Sequence, residues 1–134
     1  MKMNPQLLII DDDEVLLMIL EKIIQKVNPH RNLRMYSSGR SALDFLEELK
    51  TEPMTRFLLL DINLKDMSGW DFLNELESRN DQFSKVIIIT SSVSKINQEL
   101  AKNYPSVLAF FEKPITFDVI NQIEQIIESN QSLS

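Results

Sequence analysis

Short apolar runs alternate along the chain with longer stretches in which apolar residues recur every three or four positions. Polar or charged residues bound the short runs sharply, which favours buried β-strands. The longer stretches have the spacing of amphipathic helices. The pattern predicts five strands, at residues 6–10, 32–36, 57–60, 86–89 and 107–111. A helix is predicted after each strand, at residues 15–27, 42–49, 68–76, 95–103 and 116–128.

The first and last of these helices have the clearest apolar faces. The side chains predicted to be buried are Leu16, Ile19, Leu20, Ile23 and Val27 in the first helix, and Phe117, Ile120, Ile123 and Ile127 in the last. Ser68, followed three residues later by Asp71, is typical of a capping box and marks the start of the third helix. The second strand is more polar than the others, as expected of a strand at the edge of a sheet.

Strand and helix alternate five times, and most of the strands are almost continuously apolar. Strands of this kind are typical of parallel sheets that helices cover on both faces. The sequence therefore predicts an α/β fold, a flavodoxin-like doubly wound (βα)5 with a five-stranded parallel sheet in the order 2-1-3-4-5. We expect a single domain over residues 1–134, with an ordered core from about residue 5 to about residue 129 and a frayed polar tail.

Composition and charge exclude several classes of function. The chain has 134 residues, a net charge of −6 and no cysteine, so disulfides and thiolate chemistry are excluded. Its 14 basic residues are scattered, whereas nucleic-acid binding relies on clusters of Lys and Arg. The apolar run at residues 7–10 is too short for a signal peptide or a membrane span. We therefore expect a cytoplasmic protein that binds neither nucleic acid nor a membrane.

Polar side chains follow four of the predicted strands at the points where those strands end. They are Asp11, Asp12 and Asp13 after the first strand, Asp61 after the third, Thr90, Ser91 and Ser92 after the fourth, and Lys113 after the fifth. In an open α/β sheet, ligands bind outside the carboxyl ends of the strands, where the strand order reverses. The fold would therefore gather carboxylates, hydroxyls and one ammonium group at a single edge.

Each of these groups has an ordinary explanation when it is taken alone. Acids and hydroxyls favour helix N-termini, strands commonly end in Asp, and most lysines are solvated. Their joint placement at the required strand ends favours a site. Clustered carboxylates need a cation to neutralise them, and ligands that are all oxygen select a hard divalent ion such as Mg²⁺. Such an ion can offset charge on a phosphoryl group, with Lys113 and the Thr90 hydroxyl bound to its oxygens.

Four separated segments of the chain, in order and with natural spacing, carry a family resemblance. They are Leu7 to Asp13, Leu60 to Leu64 with Gly69 beyond, Ile89 to Ser91, and Phe111 to Pro114. With these motifs the chain resembles, over its whole length, the receiver domains of two-component response regulators. The resemblance implies a phosphoacceptor rather than a turnover enzyme. It also implies a phosphoryl donor, either a sensor histidine kinase or a histidine phosphotransfer protein.

The resemblance assigns the metal site and the acceptor. It implies that Asp61 takes the phosphoryl group from a phosphohistidine on the partner. It implies that Asp12 and Asp61 ligate Mg²⁺ directly, together with the backbone carbonyl of Asn63, and that Asp11 does so mostly through water.

The resemblance also assigns roles around the phosphoryl group. Thr90 and Lys113 would bind its oxygens, and Thr90 would couple to Phe110 as a switch. Phe110 stands where such receivers often have tyrosine, so it keeps the bulk and loses the hydroxyl; a plain core aromatic is the alternative. Asn63 and Ser92 lie where the family tunes autodephosphorylation, with solvent-facing polar residues as the alternative.

Two further expectations concern prolines. The peptide bond between Lys113 and Pro114 is expected to be cis, as the resemblance implies. Lys65 stands four residues after the acceptor, where the family usually carries proline, and this departure predicts a more mobile loop. Neither feature puts the acceptor role of Asp61 in doubt.

Because the fifth helix nearly ends the chain, we expect a stand-alone receiver whose output is a protein contact. The resemblance implies a downstream protein target on the fourth helix, fifth strand and fifth helix. A phosphorylation-dependent homodimer stays open, as do the cognate kinase and the pathway.

Two other functions remain as alternatives. A phosphatase resembling the haloacid dehalogenase superfamily also uses a nucleophilic Asp, a Thr or Ser, a Lys and acidic Mg²⁺ ligands. In that superfamily a second Asp lies two residues after the nucleophile, whereas this chain has Asn63 there. The other alternative is a pseudo-receiver, an interaction module that no longer accepts phosphate, and no residue of the sequence favours it.

Overall fold

The structure is a computed structural model that describes residues 5–91 and 93–131. Its five strands are β1 (Gln6–Ile10), β2 (Asn32–Tyr36), β3 (Arg56–Asp61), β4 (Ser84–Thr90) and β5 (Val107–Glu112). Its five helices are α1 (Glu14–Val27), α2 (Gly39–Glu48), α3 (Gly69–Ser78), α4 (Lys95–Ala101) and α5 (Phe117–Ser129).

The strands form one parallel sheet in the order β2-β1-β3-β4-β5, which confirms the predicted fold. Strand β2 lies at an edge, as its polar composition predicted. Successive side chains of a strand point to opposite faces, and β1 follows this rule. Leu7 and Ile9 pack with helices α1 and α5, whereas Leu8 and Ile10 pack with α2 and α3. Apolar cores therefore cover both faces of the sheet.

Each of the five helices is preceded by a residue whose side chain accepts a hydrogen bond from the backbone N–H three residues further on. These N-cap residues are Asp13, Ser38, Ser68, Ser94 and Thr116. Such caps satisfy backbone donors that no helical carbonyl can reach. The bond from Asp71 N to Ser68 Oγ, 3.0 Å long, confirms the predicted start of α3.

The buried face of α1 differs from the predicted one. Leu17, Leu20 and Ile24 are buried, whereas Ile19 is 47% exposed. Helix α1 is apolar on several sides, so more than one stripe fits the helical period, and the sheet and α5 decide which stripe is buried. The prediction for α5 was wrong only at Phe117, which is 49% exposed at the first position of the helix.

Helix α4 has seven residues, and only Ala101 among them is buried, in keeping with its poor amphipathicity. Helix α5 continues to Ser129, and Asn130 caps it by donating from Nδ2 to the Ile126 carbonyl at 2.8 Å. The rest of the tail predicted to fray, residues 132–134, lies outside the described residues. None of the helices in residues 5–91 and 93–131 combines the length and the apolarity that a membrane span needs.

Candidate functional site

Three carboxylates meet at the carboxyl edge of the sheet. Strands β1 and β3 are neighbours, so Asp11 and Asp12, which follow β1, lie beside Asp61, the last residue of β3. Each of the three offers an oxygen within 4.8 Å of the others. Asp11 is fully buried and Asp61 is 5% exposed, so this negative charge is concentrated away from bulk water.

The ammonium group of Lys113 reaches two of these carboxylates from the end of β5. Its Nζ atom lies 2.7 Å from Asp11 Oδ2 and 3.2 Å from Asp61 Oδ2. The backbone N–H of Lys113 donates to the Thr90 carbonyl at 2.9 Å, and this hydrogen bond holds the backbone of Lys113 beside the end of β4. The peptide bond between Lys113 and Pro114 is cis, as expected.

Burial and charge act in opposite directions on the pKa values of this cluster. Burial raises the pKa of Asp11 above its ordinary value, although the Lys113 ammonium and the Asp13 backbone N–H act to lower it. Burial alone would lower the pKa of Lys113. The carboxylates of Asp11 and Asp61 outweigh that effect, so the Lys113 pKa is raised and the side chain is a cation at neutral pH.

The cluster fits a divalent cation. Asp12 Oδ2 is buried and accepts no hydrogen bond from residues 5–91 or 93–131. Asp11 Oδ2 is also buried, and its contact is the ion pair with Lys113. Three carboxyl groups lie near one ammonium group, so their formal charges leave an excess of two negative charges. A hard ion bound by oxygen, such as Mg²⁺, would neutralise that excess and give Asp12 Oδ2 a partner.

Asn63 and Thr90 lie next to Asp61. The backbone N–H of Asn63 donates to Asp61 Oδ1 at 3.1 Å, and its side-chain amide lies 3.4 Å from Thr90 Oγ1. Thr90, at the end of β4, is fully buried. The structure thus brings together Asp11, Asp12, Asp61, Asn63, Thr90 and Lys113, the six residues predicted for the metal and phosphoryl positions.

Two predicted residues lie outside this cluster. Phe110, on β5, is half-buried and packs with the apolar core on the α2 and α3 face of the sheet, with Ile88 of β4 as its strand partner. Ser92 lies outside the described residues. The switch role of Phe110 and the dephosphorylation role of Ser92 stay predictions.

One polar residue near the site has a contact that the sequence pattern did not indicate. Asp66, in the connection between β3 and α3, accepts hydrogen bonds from the backbone N–H groups of Gly39 and Arg40. The donors are 26 and 27 residues away in sequence, so no local pattern reveals the contact. Its only sequence signal is an acidic side chain in a loop next to the acceptor strand.

Comparison with known proteins identifies the family. The profile of the response regulator receiver domain matches residues 7–125. Among proteins with curated descriptions, none matches the chain in sequence.

Several solved structures share the fold. A two component response regulator from Cytophaga hutchinsonii superimposes with a TM-score of 0.83 at 22% identity, covering 96% of this chain and 100% of that chain. A signal receiver domain from Vibrio parahaemolyticus gives a TM-score of 0.76 at 30% identity, with 92% and 89% covered. A CheY-like receiver domain protein from Methanospirillum hungatei gives 0.77 at 22% identity, with 95% and 96% covered. On the match of the family profile, which extends over most of its length, this chain belongs to the receiver domains of two-component response regulators.

Proposed function

We propose that Asp61 accepts a phosphoryl group from a phosphohistidine on a sensor histidine kinase or a histidine phosphotransfer protein. The observation that carries the proposal is the position of the Asp61 carboxylate between two further aspartates and the ammonium of Lys113. A nucleophile for phosphoryl transfer needs surrounding charges that stabilise the transferred group, and this set supplies them. Family membership supports the same role.

In the transfer one bond to phosphorus forms and one breaks. A carboxylate oxygen of Asp61 forms a bond to phosphorus as the bond from phosphorus to the donor's imidazole nitrogen breaks. The imidazole leaves as a neutral ring, because its other nitrogen carries a proton. The N–H of Asn63 donates to Asp61 Oδ1 and Lys113 contacts Oδ2, so the carboxylate is oriented before the donor arrives.

Lys113 and Thr90 would bind the phosphoryl oxygens once the group is transferred. Lys113 already lies 3.2 Å from the acceptor carboxylate and supplies a positive charge. The Thr90 hydroxyl, at the end of the neighbouring strand, supplies a hydrogen-bond donor. In this proposal Thr90 also links the phosphoryl group to the Phe110 switch.

Mg²⁺ is the cofactor that the donor set fits. Asp12, Asp61 and the Asn63 backbone carbonyl would hold it directly, and Asp11 mostly through water. When bound, the ion neutralises negative charge on the transferring phosphoryl group. Asn63 and Ser92 would set the rate of slow autodephosphorylation.

The output surface in this proposal is the α4–β5–α5 face. Ile96 and Leu100 of α4 are 72% and 37% exposed, which offers apolar area to a downstream protein or to a second copy of the chain. A phosphorylation-dependent homodimer is therefore one form that the output can take. A cytoplasmic location is part of the same proposal, because it gives access to the kinase.

Incubation with acetyl phosphate and Mg²⁺, followed by intact-mass measurement and peptide mapping, tests the acceptor role. We expect one acid-labile phosphate on Asp61 and none on Asp61→Asn. Asp44→Asn is a matched control that removes one exposed carboxylate from α2 and should leave labelling unchanged. Labelling of Asp61→Asn at the wild-type level would contradict the proposal.

The two alternatives have different outcomes in the same samples. A phosphatase would release phosphate from a small phosphomonoester over many turnovers, whereas the receiver would hold one phosphate and lose it slowly. A pseudo-receiver would show no shift of the Asp11, Asp12 and Asn63 amide resonances on titration with Mg²⁺. The complete set of acids and the lysine supports the receiver.

A further inference from the structure

The connection between β3 and α3, residues 62–68, carries Asn63 and is called the acceptor loop below. Two contacts fix its base. The Gly69 N–H donates to the Ile62 carbonyl at 2.7 Å, and Asn63 and Ser68 form an isolated antiparallel bridge. These contacts join the two ends of the loop and do not restrain its far side.

The far side is held by Asp66. Its Oδ1 accepts from Gly39 N at 3.0 Å and its Oδ2 accepts from Arg40 N at 2.9 Å. These are the first two residues of α2, whose leading N–H groups have no helical partner. Ser38 Oγ accepts from the Ser41 N–H. The acceptor loop and the N-cap residue therefore each provide acceptors for leading N–H groups of α2.

Charge strengthens this contact. The N-terminus of a helix carries partial positive charge, which favours a carboxylate placed there. Burial acts to raise the pKa of Asp66, but the N–H groups of Gly39 and Arg40 together hold that pKa below its ordinary value. Both oxygens are used, so the carboxylate is fixed in orientation as well as in position.

A packing contact accompanies the hydrogen bonds. Gly39 is buried, and a Cβ atom added to it would lie 2.7 Å from Cγ and Sδ of Met67. The side chain next to Asp66 therefore lies directly on the first residue of α2. Two adjacent loop residues contact the same helix end, one through charge and one through van der Waals contact.

We propose that Asp66 is a positioning residue for the acceptor site: its carboxylate fastens the acceptor loop to the N-terminus of α2 and thereby sets where Asn63 lies beside Asp61. Asn63 is three residues from Asp66 and donates through its backbone N–H to the acceptor carboxylate. Movement of the far side of the loop would move that donor and the Asn63 carbonyl. The part of the inference that concerns Mg²⁺ rests on the proposed function.

The Asp66 contact explains how the acceptor loop can be restrained although Lys65 stands where the family usually carries proline. Proline at that position would stiffen the loop from within, whereas Asp66 restrains it from outside. The backbone N–H of Lys65 donates no hydrogen bond to residues 5–91 or 93–131. A proline placed there would therefore remove no hydrogen bond, which makes Lys65→Pro a rescue variant.

The test compares Asp66→Ala, Asp66→Asn, the double variant Lys65→Pro/Asp66→Ala and the control Asp44→Ala. The control removes an exposed carboxylate from α2 that makes no hydrogen bond or ion pair with the described residues. Amide hydrogen exchange and amide chemical shifts are measured by NMR without Mg²⁺, followed by a Mg²⁺ titration of each protein. Thermal unfolding of each variant shows that it is folded at the measuring temperature.

We expect Asp66→Ala to shift the Gly39 and Arg40 amide resonances and to speed exchange of the Asn63 amide severalfold in metal-free protein. The Mg²⁺ dissociation constant should rise by about tenfold, the lower end of what loss of a ligand-orienting partner costs. Asp66→Asn keeps one acceptor oxygen and should fall between Asp66→Ala and the wild type. Lys65→Pro in the Asp66→Ala background should slow Asn63 exchange again.

Two outcomes separate this inference from the proposed function. Shifts at Gly39 and Arg40 with unchanged Asn63 exchange and Mg²⁺ affinity would make Asp66 a cap of α2 only, and the inference would be wrong. If the wild type takes up neither Mg²⁺ nor phosphate, the proposed function fails. Faster Asn63 exchange in metal-free Asp66→Ala would then still support the positioning role.

Discussion

The sheet holds buried charge in opposite ways at the amino ends of its strands, called the amino edge, and at their carboxyl ends, called the carboxyl edge. At the amino edge, Arg31 and Glu124 form a bidentate pair with N–O distances of 2.6 and 3.1 Å. Arg31 also donates to the Pro5 carbonyl at 2.9 Å, and Asn28 donates to Glu124 at 3.0 Å. At the carboxyl edge, one ammonium contacts two of three clustered carboxylates, and a buried oxygen of the third, Asp12, has no hydrogen-bond partner among the described residues.

The matched charges of the amino edge stabilise the fold, whereas the unmatched charges of the carboxyl edge belong to the candidate site. Buried polar groups are expensive unless they are paired, so a matched set such as Arg31 with Glu124 holds α5 to the start of the sheet. The carboxyl edge has an excess of negative charge that the protein itself does not neutralise. Such an excess destabilises the metal-free fold, and it would attract a divalent cation.

Arg31→Met should cause the largest loss of stability. The Arg31 and Glu124 side chains are 4% and 14% exposed, and removal of one partner leaves the other charge buried and unpaired. We expect the free energy of unfolding to fall by about 3–5 kcal/mol, as measured by chemical denaturation.

The exposed pair Lys102–Glu99, with side chains 72% and 60% exposed, supplies the control for this measurement. Lys102→Met should cost no more than about 1 kcal/mol. Arg31→Met/Glu124→Met should recover part of the loss, because it removes the unpaired carboxylate. Equal effects of Arg31→Met and Lys102→Met would show that the amino edge is not the stabilising edge.

Mg²⁺ should stabilise the wild type through the carboxyl edge alone. At a free Mg²⁺ concentration of about 100 times its dissociation constant, the free energy of unfolding should rise by about 2.7 kcal/mol. Asp12→Asn should lose most of this gain, and without Mg²⁺ it should be more stable than the wild type, because the excess negative charge is reduced. Denaturation curves with and without Mg²⁺ measure both effects.

Arg31→Met is the cross-edge control for the Mg²⁺ measurement. It should keep the full Mg²⁺-dependent gain although its total stability is lower. Loss of the gain in Arg31→Met would mean that the two edges are coupled, and the comparison would fail.

The sequence predicted the fold well because its strands are unambiguous. Residues 57–60 and 86–89 are apolar throughout and lie inside the sheet, where apolar cores cover both faces. Strand β3 extends one residue further at each end, to Arg56 and Asp61, because hydrogen bonding continues through polar residues that an apolar pattern omits. The prediction that Ile19 of α1 is buried was wrong, because tertiary contacts determine which of several apolar stripes faces the core.

The candidate site was predictable where it depends on strand ends. Asp11, Asp61 and Lys113 meet because parallel strands end at one edge, and topology alone brings them together. The Asp66 contact was not predictable, since it joins a loop to a helix end 26 and 27 residues away. The Lys65 departure had suggested a mobile loop, and the restraint that Asp66 supplies is visible only in three dimensions.

Gly69→Ala should destabilise the carboxyl edge by steric contact. A Cβ atom on Gly69 would lie 2.8 Å from Ile62 Cα, so backbone at the base of the acceptor loop must move. We expect a loss of about 1–3 kcal/mol in the free energy of unfolding and weaker Mg²⁺ binding.

Gly39→Ala is the matched control, because both glycines are the first residue of a helix. Its Cβ would meet the flexible side chain of Met67 rather than backbone, and alanine favours the helix by up to about 1 kcal/mol. The Gly39 variant should therefore lose less stability than the Gly69 variant. The reverse order would show that the base of the acceptor loop is not the rigid part of this edge.

The smallest expected effect concerns Asp66, a carboxylate of the carboxyl edge whose two oxygens each accept a hydrogen bond. Its pKa is lowered in the folded protein, so its stabilising contribution is present above the ordinary value of 3.8 and is lost as the pH falls through the folded pKa. We expect the wild type to exceed Asp66→Asn by about 0.3–1 kcal/mol at pH 6 and low salt, and by less below pH 3.8.

The Asp66 difference should also shrink in high salt, since the carboxylate is largely exposed and its contact with the end of α2 is screened. Asp44→Asn, which removes an exposed carboxylate of α2, is the control. Urea denaturation at several pH values compares the two variants. A constant gap between wild type and Asp66→Asn at every pH would mean that the hydrogen bonds stabilise the loop without help from charge, and that the excess charge of this edge is confined to the metal cluster.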